Sequence, residues 1–190
     1  MTDAELVARA RQGDAAAFGE LVSRHQAAVY RAALAALGSP AEADDVAQEA
    51  FIKAYMSVDG FRSHASFKTW LLTITWNEAL NRRRALKRWW ARTVQMDDDH
   101  RAAVATTSAS PEQTAAHDEL RRDIRREILA LSPKLRDALL LVQTEVYTYE
   151  ELGAILKVPV GTIKWRVAEA RRLVKERLRA RGYTHVGRFD

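Results

Sequence analysis

A cluster of carboxylate and amide side chains lies within two helical turns of one another in the segment EADDVAQEAF. The cluster consists of Asp44, Asp45, Gln48 and Glu49. In a helix, the spacing of three and four places Asp45, Gln48 and Glu49 on one face. Paired carboxylates there could perform acid–base catalysis or bind a hard cation. They could also form a solvated face or a face that docks another protein, and these last two interpretations are equally favoured. The five histidines are scattered, and none pairs with an acid at metal-ligand spacing, so catalysis is the least favoured interpretation.

A second pattern lies in the stretch YEELGAILKVPVGTIKWRVAEARRLVKE, residues 149–176, which predicts two helices joined by a tight corner. Pro159 bends the chain and Gly161 is expected to leave room for close packing. The apolar positions of the second helix share one face: Ile163, Val167, Ala170 and Val174. The opposite face carries Trp165, Ala168, Glu169 and Arg172. This arrangement is typical of a helix-turn-helix whose second helix enters the DNA major groove, although a helical hairpin with a solvated charged face would give the same pattern.

A third pattern interleaves aromatic and basic residues in FRSHASFKTWLLTITWNEALNRRRALKRWW, residues 61–90. Aromatic faces can stack on unpaired bases while neighbouring cations hold the phosphates. Aromatics at helical spacing also build cores, and Phe67, Leu71, Ile74 and Trp70 are candidates for that role. The basic run at 82–88 is a candidate phosphate contact.

Composition limits the class of protein that can position these residues. The chain has 190 residues, of which 47% are hydrophobic and 29% charged, with few Gly and Pro, which is typical of a folded helical protein. It has no Cys, which excludes disulfides and thiolate metal sites. No apolar run approaches the roughly 18 residues of a membrane helix, and the charged N-terminus does not resemble a secretory signal. The net charge of +5 makes a polyanion a plausible partner.

The elements are predicted from helix-start signals and from the 3.6-residue period. The candidate caps are Thr2 with Glu5, Asp14, Ser39 followed by Pro40, Ser132 followed by Pro133, and Thr148 with Glu151. No strand pattern or internal repeat is found. Residues 93–116 lack a helical period and carry a net charge of −3, which predicts a flexible linker. We therefore expect an all-α protein with domains at 1–92 and 117–182, a linker at 93–116 and a tail at 183–190.

Taken in order, these three patterns resemble the bacterial sigma factors of the extracytoplasmic-function (ECF) group, the small members of the sigma-70 family. ADDVAQEAFIKAY resembles the helix that binds core RNA polymerase, and residues 61–84 resemble the stretch that melts and reads the minus-ten element. LSPKLRDALLL with residues 149–178 resembles the domain that reads the minus-thirty-five element. The chain departs from the family pattern at Trp165, where a small polar residue is usual, at Trp76, where Arg is frequent, and at Asn81, where Asp is frequent.

The resemblance implies three sets of binding residues. Core-polymerase contacts would come from Asp44, Asp45, Val46, Gln48, Glu49 and Phe51. Minus-ten contacts would come from Arg62, Ser63, His64, Ser66, Phe67, Lys68, Trp70, Trp76, Asn77, Arg82 and Arg83. Minus-thirty-five contacts would come from Thr162, Lys164, Trp165, Arg166, Ala168, Glu169, Arg171 and Arg172.

The function implied is that of a promoter-specificity subunit, a cytoplasmic protein that is not an enzyme and needs no metal or other cofactor. Its expected partners are core RNA polymerase, promoter DNA (duplex at the minus-thirty-five element and single-stranded at the minus-ten element) and an anti-sigma factor. One alternative is a stand-alone helix-turn-helix regulator with an N-terminal dimerisation or sensing module. Another is a phosphodiester-cleaving enzyme built on the acidic helix.

Overall fold

The computed structural model describes residues 1–62, 65–93 and 111–183. Within these residues the fold is built from α-helices joined by short turns. The helices are α1 (Asp3–Arg11), α2 (Ala15–Leu37), α3 (Pro40–Met56), α4 (Phe67–Thr93), α5 (Pro111–Leu129), α6 (Pro133–Val142), α7 (Tyr149–Leu156) and α8 (Val160–Ala180), with a short 3₁₀ turn at Val58–Gly60. We call α1–α4 the N-terminal lobe and α5–α8 the C-terminal lobe. None of the helices in this part of the chain is both long and apolar enough to cross a membrane.

The five predicted helix starts are confirmed, because their signals are local, but the Ser132 side chain makes no cap hydrogen bond at α6. Thr2 and Glu5 form a reciprocal capping box at α1, and Thr148 and Glu151 form another at α7. Asp14 accepts from the backbone N–H of Ala17 at 3.0 Å. Such caps satisfy backbone donors that would otherwise lack a partner within the helix.

The predicted linker, 93–116, overlaps a helix at each of its ends. Thr93 is the last residue of α4, and α5 begins at Pro111. The start signal is a serine followed by a proline, at 110 and 111 in the sequence, and proline is favoured at the first helical position. The centre of the linker, 94–110, lies outside the described residues, so its predicted flexibility remains a prediction.

Tyr183, the first residue of the predicted tail 183–190, contacts the C-terminal lobe. The Tyr183 hydroxyl donates to Asp123 Oδ2 at 3.0 Å, and the ring packs on the apolar cluster of the C-terminal lobe. Nearby, Glu127 is 6% exposed and its Oε1 pairs with Arg181 Nη2 at 2.7 Å. These contacts fix α5 across the end of α8. Residues 184–190 lie outside the described residues.

The two lobes pack against one another, an arrangement that the sequence did not predict. One apolar cluster runs from α1–α4 into α6, α7 and α8, where it includes Leu141, Leu152 and Ile163. Polar contacts join the same surfaces, because Lys68 Nζ donates to the Val146 carbonyl at 2.6 Å and lies 3.3 Å from Glu151 Oε1. The start of α4 is therefore covered by the C-terminal lobe.

Candidate nucleic-acid interface and docking groove

Helix α8 presents an aromatic side chain to solvent in the middle of its first half. Trp165 is 62% exposed, whereas Ile163 and Val167 are buried. The corner before α8 is tight because Lys157 adopts a left-handed conformation, with φ of 54°, at the end of α7. Gly153, rather than Gly161 as predicted, permits close packing: a Cβ there would lie 2.9 Å from the Val158 carbonyl. The corner therefore holds α8 with Trp165 directed away from the protein.

The charged residues around Trp165 are partly paired with one another. Arg172 Nε and Nη2 both donate to the Glu169 carboxylate, each at 2.9 Å, and Arg172 Nη1 donates to Glu176 at 2.9 Å. These hydrogen bonds from Arg172 lower the pKa of Glu169, and the same bonds raise the pKa of Arg172. Each oxygen of Glu169 therefore already accepts one hydrogen bond from Arg172 and keeps a lone pair for another donor.

The other predicted members of this face surround the same surface with different exposures. Lys164 is exposed, with its Nζ 5.9 Å from the centre of the Tyr149 ring. Ala168 and Arg171 are exposed, and Thr162 and Arg166 are half-buried. Lys164 and Arg171 thus lie beside Trp165 as exposed cations.

At the start of α4, three aromatic rings form one cluster. The Trp70 ring lies 5.2 Å from that of Phe61 and 5.7 Å from that of Phe67, measured between centroids. Phe61 and Phe67 are buried, and Trp70 is half-buried. Phe67 therefore acts as core here, which was one of its two sequence interpretations, and Trp70 is the ring of this cluster with a solvent-facing part.

Trp76 was predicted to contact single-stranded DNA, and its position in the fold contradicts this prediction. The side chain is 1% exposed and lies among the core residues of the N-terminal lobe. The adjacent Asn77 is exposed. The Trp76 ring cannot reach a base while α4 remains packed on α2 and α3, so its role is to hold that packing.

The remaining residues predicted to contact the minus-ten element differ in the partners that they have in this structure. Lys68 is held by the C-terminal lobe, as is Arg83, whose Nη2 lies 2.9 Å from Asp137 Oδ1. Arg82 instead pairs within its own lobe, with Glu49 at 2.6 Å and Glu42 at 3.3 Å. The exposed residues are Arg62, Ser66 and Asn77. Ser63 and His64 lie outside the described residues.

A groove of about 580 Å³ runs between α2 and α3, and we call it the α2/α3 groove. Three of its lining residues, Asp44, Gln48 and Phe51, are among those predicted to contact core polymerase. Val22 and Tyr30 of α2 form the opposite wall. A mostly apolar groove with a few polar groups at its edge is the usual form of a site that accepts another side chain or helix.

The acidic helix does not use all its predicted residues in this groove. Val46 was predicted as a contact and this is wrong, since its side chain is fully buried in the core. Glu49, one residue beyond Gln48 and about 100° around the helix, turns toward Arg82. Asp45 is exposed but does not line the groove.

Several exposed apolar residues near the groove were missed. Ile52 is 52% exposed, Tyr55 45% and Met56 79%. The signal was present, because α3 carries adjacent apolar pairs at 51–52 and 55–56, more than one core-facing stripe can bury. The α2 wall had no such signal, since Val22 and Tyr30 fit an ordinary amphipathic helix.

The acidic residues form no metal site in the described parts of the chain, where no group of three His, Cys, Asp or Glu residues could hold a cation. What the described surfaces offer is a helix-turn-helix with an exposed recognition helix, a second helix with aromatic and basic residues, and a docking groove. These features define a DNA-binding protein that also docks a protein partner.

Comparison with known proteins identifies the family. Residues 21–89 match sigma-70 region 2, and residues 121–174 match sigma-70 region 4. The chain is 35% identical over 183 residues to the ECF RNA polymerase sigma-E factor of Escherichia coli (strain K12), covering 94% of this chain and 95% of that protein. It is 30% identical over 177 residues to the ECF RNA polymerase sigma factor SigW of Bacillus subtilis (strain 168), covering 91% and 95%.

Two solved structures share the fold. CnrH, in complex with the cytosolic domain of CnrY, is 28% identical with a TM-score of 0.66, covering 94% of this chain and 97% of that one. The sigma factor RpoE of Bartonella quintana, in complex with the anti-sigma factor NepR, is 25% identical with a TM-score of 0.62, covering 85% and 96%. The chain belongs to the ECF group of the sigma-70 family. This membership supports the sigma-subunit interpretation over the stand-alone regulator.

Proposed function

We propose that this sigma factor docks on core RNA polymerase through the α2/α3 groove and directs initiation by reading two promoter elements. The observation that carries the proposal is the lining of that groove by Asp44, Gln48 and Phe51, three residues that the family resemblance assigns to polymerase binding. The exposed residues Ile52 and Met56 extend the apolar surface along α3. Asp44 adds negative charge at its edge, whereas Asp45 and Glu49 lie outside it.

The C-terminal lobe would bind the duplex minus-thirty-five element through α8. Trp165 would face the bases, with Lys164 beside it, because its exposed ring lies on the outward face of the recognition helix. Arg171 and Arg172 would contact phosphates. The single-stranded minus-ten element would bind along α4 and the preceding corner, at the residues that are exposed or can become exposed: Arg62, Ser66, Lys68, Trp70, Asn77, Arg82 and Arg83.

Binding at the minus-ten element would require the lobes to separate. Lys68 is held by the Val146 carbonyl and Glu151, and Arg83 by Asp137. Both cations must leave these partners before they can contact a phosphate. Core polymerase would favour this opening by binding the separated arrangement more tightly than the packed one.

The structural relatives suggest one more partner. CnrH and the Bartonella RpoE were solved with CnrY and an anti-sigma factor, respectively. By analogy, this chain would also bind an anti-sigma factor and act in the cytoplasm, with the catalysis residing in the polymerase.

A reconstituted initiation assay tests the proposed function. Adding the chain to core polymerase and a genomic promoter library should give transcripts that start at a common pair of sequence elements. Two reactions serve as controls: core polymerase alone, and core polymerase with the Asp44→Lys variant of the chain. Unselective transcription from the library, equal with and without the chain, would contradict a sigma function.

Substitution of Trp165 should change base preference rather than overall affinity. We expect Trp165→Ala to alter discrimination at one or two positions by ~1–3 kcal/mol, because the ring would contact a thymine methyl or the sugar beside it. Arg171→Ala should weaken all duplexes alike and lower the salt slope by ~1. Binding of holoenzyme to single-base variants of the selected promoter, at two salt concentrations, separates the two effects. If Trp165→Ala weakens every variant equally or none, Trp165 does not read bases.

A further inference from the structure

A second cavity, of about 290 Å³, lies where the end of α2 meets α4, α5 and α6. We call it the arginine cavity, because four guanidinium groups line it: Arg83, Arg121, Arg125 and Arg136. Arg83 comes from the N-terminal lobe and the other three come from the C-terminal lobe. Its walls are otherwise apolar, with Leu37 on one side and Ile124 and Leu140 on the other. The cavity therefore exists only while the two lobes are packed together.

Two of these guanidinium groups have buried N–H groups without an acceptor. Arg83 uses Nη2 to pair with Asp137, but its buried Nη1 has no partner. Arg136 uses Nη1 to donate to the Leu129 carbonyl at 3.1 Å, but its buried Nε has no partner. A buried donor without an acceptor is unfavourable, and more so when it carries charge. Both arginines therefore hold an unpaired donor, buried from solvent, beside the cavity.

The cavity has an excess of positive charge. No carboxylate is among its lining residues in the described part of the chain, and the Asp137 carboxylate that pairs with Arg83 is not one of them. Burial and the neighbouring charge of Arg83 lower the pKa of Arg136, with Asp137 opposing them. Among the described residues, four arginines thus line the cavity without a lining carboxylate to balance them.

A backbone feature helps to place one of these cations. Gly38 ends α2 in a left-handed conformation, with φ of 67°. A Cβ at this position would lie 3.1 Å from Arg125 Nη2, so glycine allows the Arg125 guanidinium to approach the end of α2. There it lies near the negative end of the helix dipole, beside the cavity.

We propose that the arginine cavity binds a small anion that carries a diphosphate or triphosphate group, and that this ligand holds the two lobes together. Planar guanidinium groups match phosphate oxygens in bidentate geometry, and a polyphosphate supplies the several negative charges that balance the cluster. The ligand bridges Arg83 of α4 and the three arginines of α5 and α6. Because the ligand binds only when the lobes are packed together and Lys68 is covered, it stabilises that arrangement by mass action.

Titration of the free, full-length chain with inorganic pyrophosphate tests the site. Isothermal calorimetry at constant ionic strength, balanced with sodium chloride, should show one saturable site. Arg125→Gln should weaken binding about tenfold or more, and because Arg125 is exposed at the surface the fold should remain intact by circular dichroism. Arg136→Gln should do the same.

Arg126→Gln is the matched control, since it removes the same charge from the same helix. Arg126 is 61% exposed and pairs with Asp123, away from the cavity. Its substitution should leave the pyrophosphate affinity unchanged. Absence of saturable binding, or an equal loss in Arg125→Gln and Arg126→Gln, would overturn the proposal. So would a short single-stranded oligonucleotide that binds more tightly than pyrophosphate with the same dependence on Arg125.

The effect on the lobes rests on the proposed sigma function and is measured separately. Pyrophosphate should weaken the binding of the wild-type chain to core polymerase, without nucleotides present, and should not affect the Arg125→Gln variant. If pyrophosphate weakened polymerase binding equally for the two proteins, the proposal that the ligand holds the lobes together would be overturned. The anion site itself would still be supported. A chain that fails to bind core polymerase even without pyrophosphate would instead count against the proposed function.

Discussion

Replacing Trp76 by alanine is expected to destabilise the chain by ~3–5 kcal/mol, because the substitution empties a fully enclosed position in the N-terminal lobe. The Trp76 side chain is 1% exposed and is the largest of the fully buried side chains among the described residues. Its loss would leave a cavity between α4 and the helices it packs on, and close-packed interiors collapse only partly around such gaps. We expect the melting temperature to fall by ~6–20 °C in a thermal denaturation experiment.

Two other variants separate this role from DNA binding. Trp76→Phe keeps most of the apolar volume and removes the indole Nε1, which is buried without a partner, so its cost should be much smaller. Trp70→Ala removes a half-buried ring from the cluster with Phe61 and should affect single-stranded DNA binding at least as much as stability. If Trp76→Ala retained the wild-type melting temperature and lost only minus-ten binding, the original sequence prediction would be right and the burial argument wrong.

The contrast between Trp76 and Trp70 shows what the sequence of α4 could not supply. Both are aromatic residues on a helix that is also rich in Arg, and composition alone allows either a base-stacking or a core role for each. Helix α4 packs on α2 and α3 on one side and on α7 on another, so that more than one face is covered. A periodic pattern identifies a single buried face, and it cannot show which residues a second layer covers.

The helix starts were predictable for the opposite reason. The capping boxes at Thr2 and Thr148 involve residues three apart, so their signal is contained in a few residues of sequence. The contact between Lys68 and Glu151 joins residues 83 apart, and neither residue carries a local sign of its partner. The arrangement of the lobes, and with it the arginine cavity, is therefore tertiary information that single-sequence patterns lack.

The residues of the α2/α3 groove were only partly predictable from the sequence. Asp44, Gln48 and Phe51 belong to the family motif and line the groove, but the helical spacing had grouped Gln48 with Asp45 and Glu49 instead. Val22 and Tyr30 were missed because they lie on another helix and belong to an ordinary amphipathic pattern. Val46 was assigned wrongly because a motif covers every residue of its helix, including those that face the core.

The second large effect is expected at this groove. Asp44→Lys should weaken binding to core RNA polymerase by ~2–5 kcal/mol, since it reverses a charge at the edge of an apolar docking surface and leaves the polymerase partner facing a like charge. Phe51→Ala should cost ~2 kcal/mol or more, because large aromatic side chains in a pocket commonly dominate an interface. Affinity would be measured by fluorescence anisotropy of the labelled chain titrated with core polymerase.

Charge-matched variants decide whether the groove or the general negative charge of the lobe carries this binding. Asp59→Lys makes the same charge change on the 3₁₀ turn and should leave affinity within a few tenths of a kcal/mol, as is usual for screened surface charges. Asp45→Lys, exposed but outside the groove, should have a smaller effect than Asp44→Lys because its side chain does not enter the contact. Equal losses for the variants at 44, 45 and 59 would mean that long-range electrostatics, and not docking in the α2/α3 groove, hold the chain on the polymerase. A loss confined to Asp44 and Phe51 would place the polymerase contact between α2 and α3, on the side of α3 away from the Glu49–Arg82 ion pair.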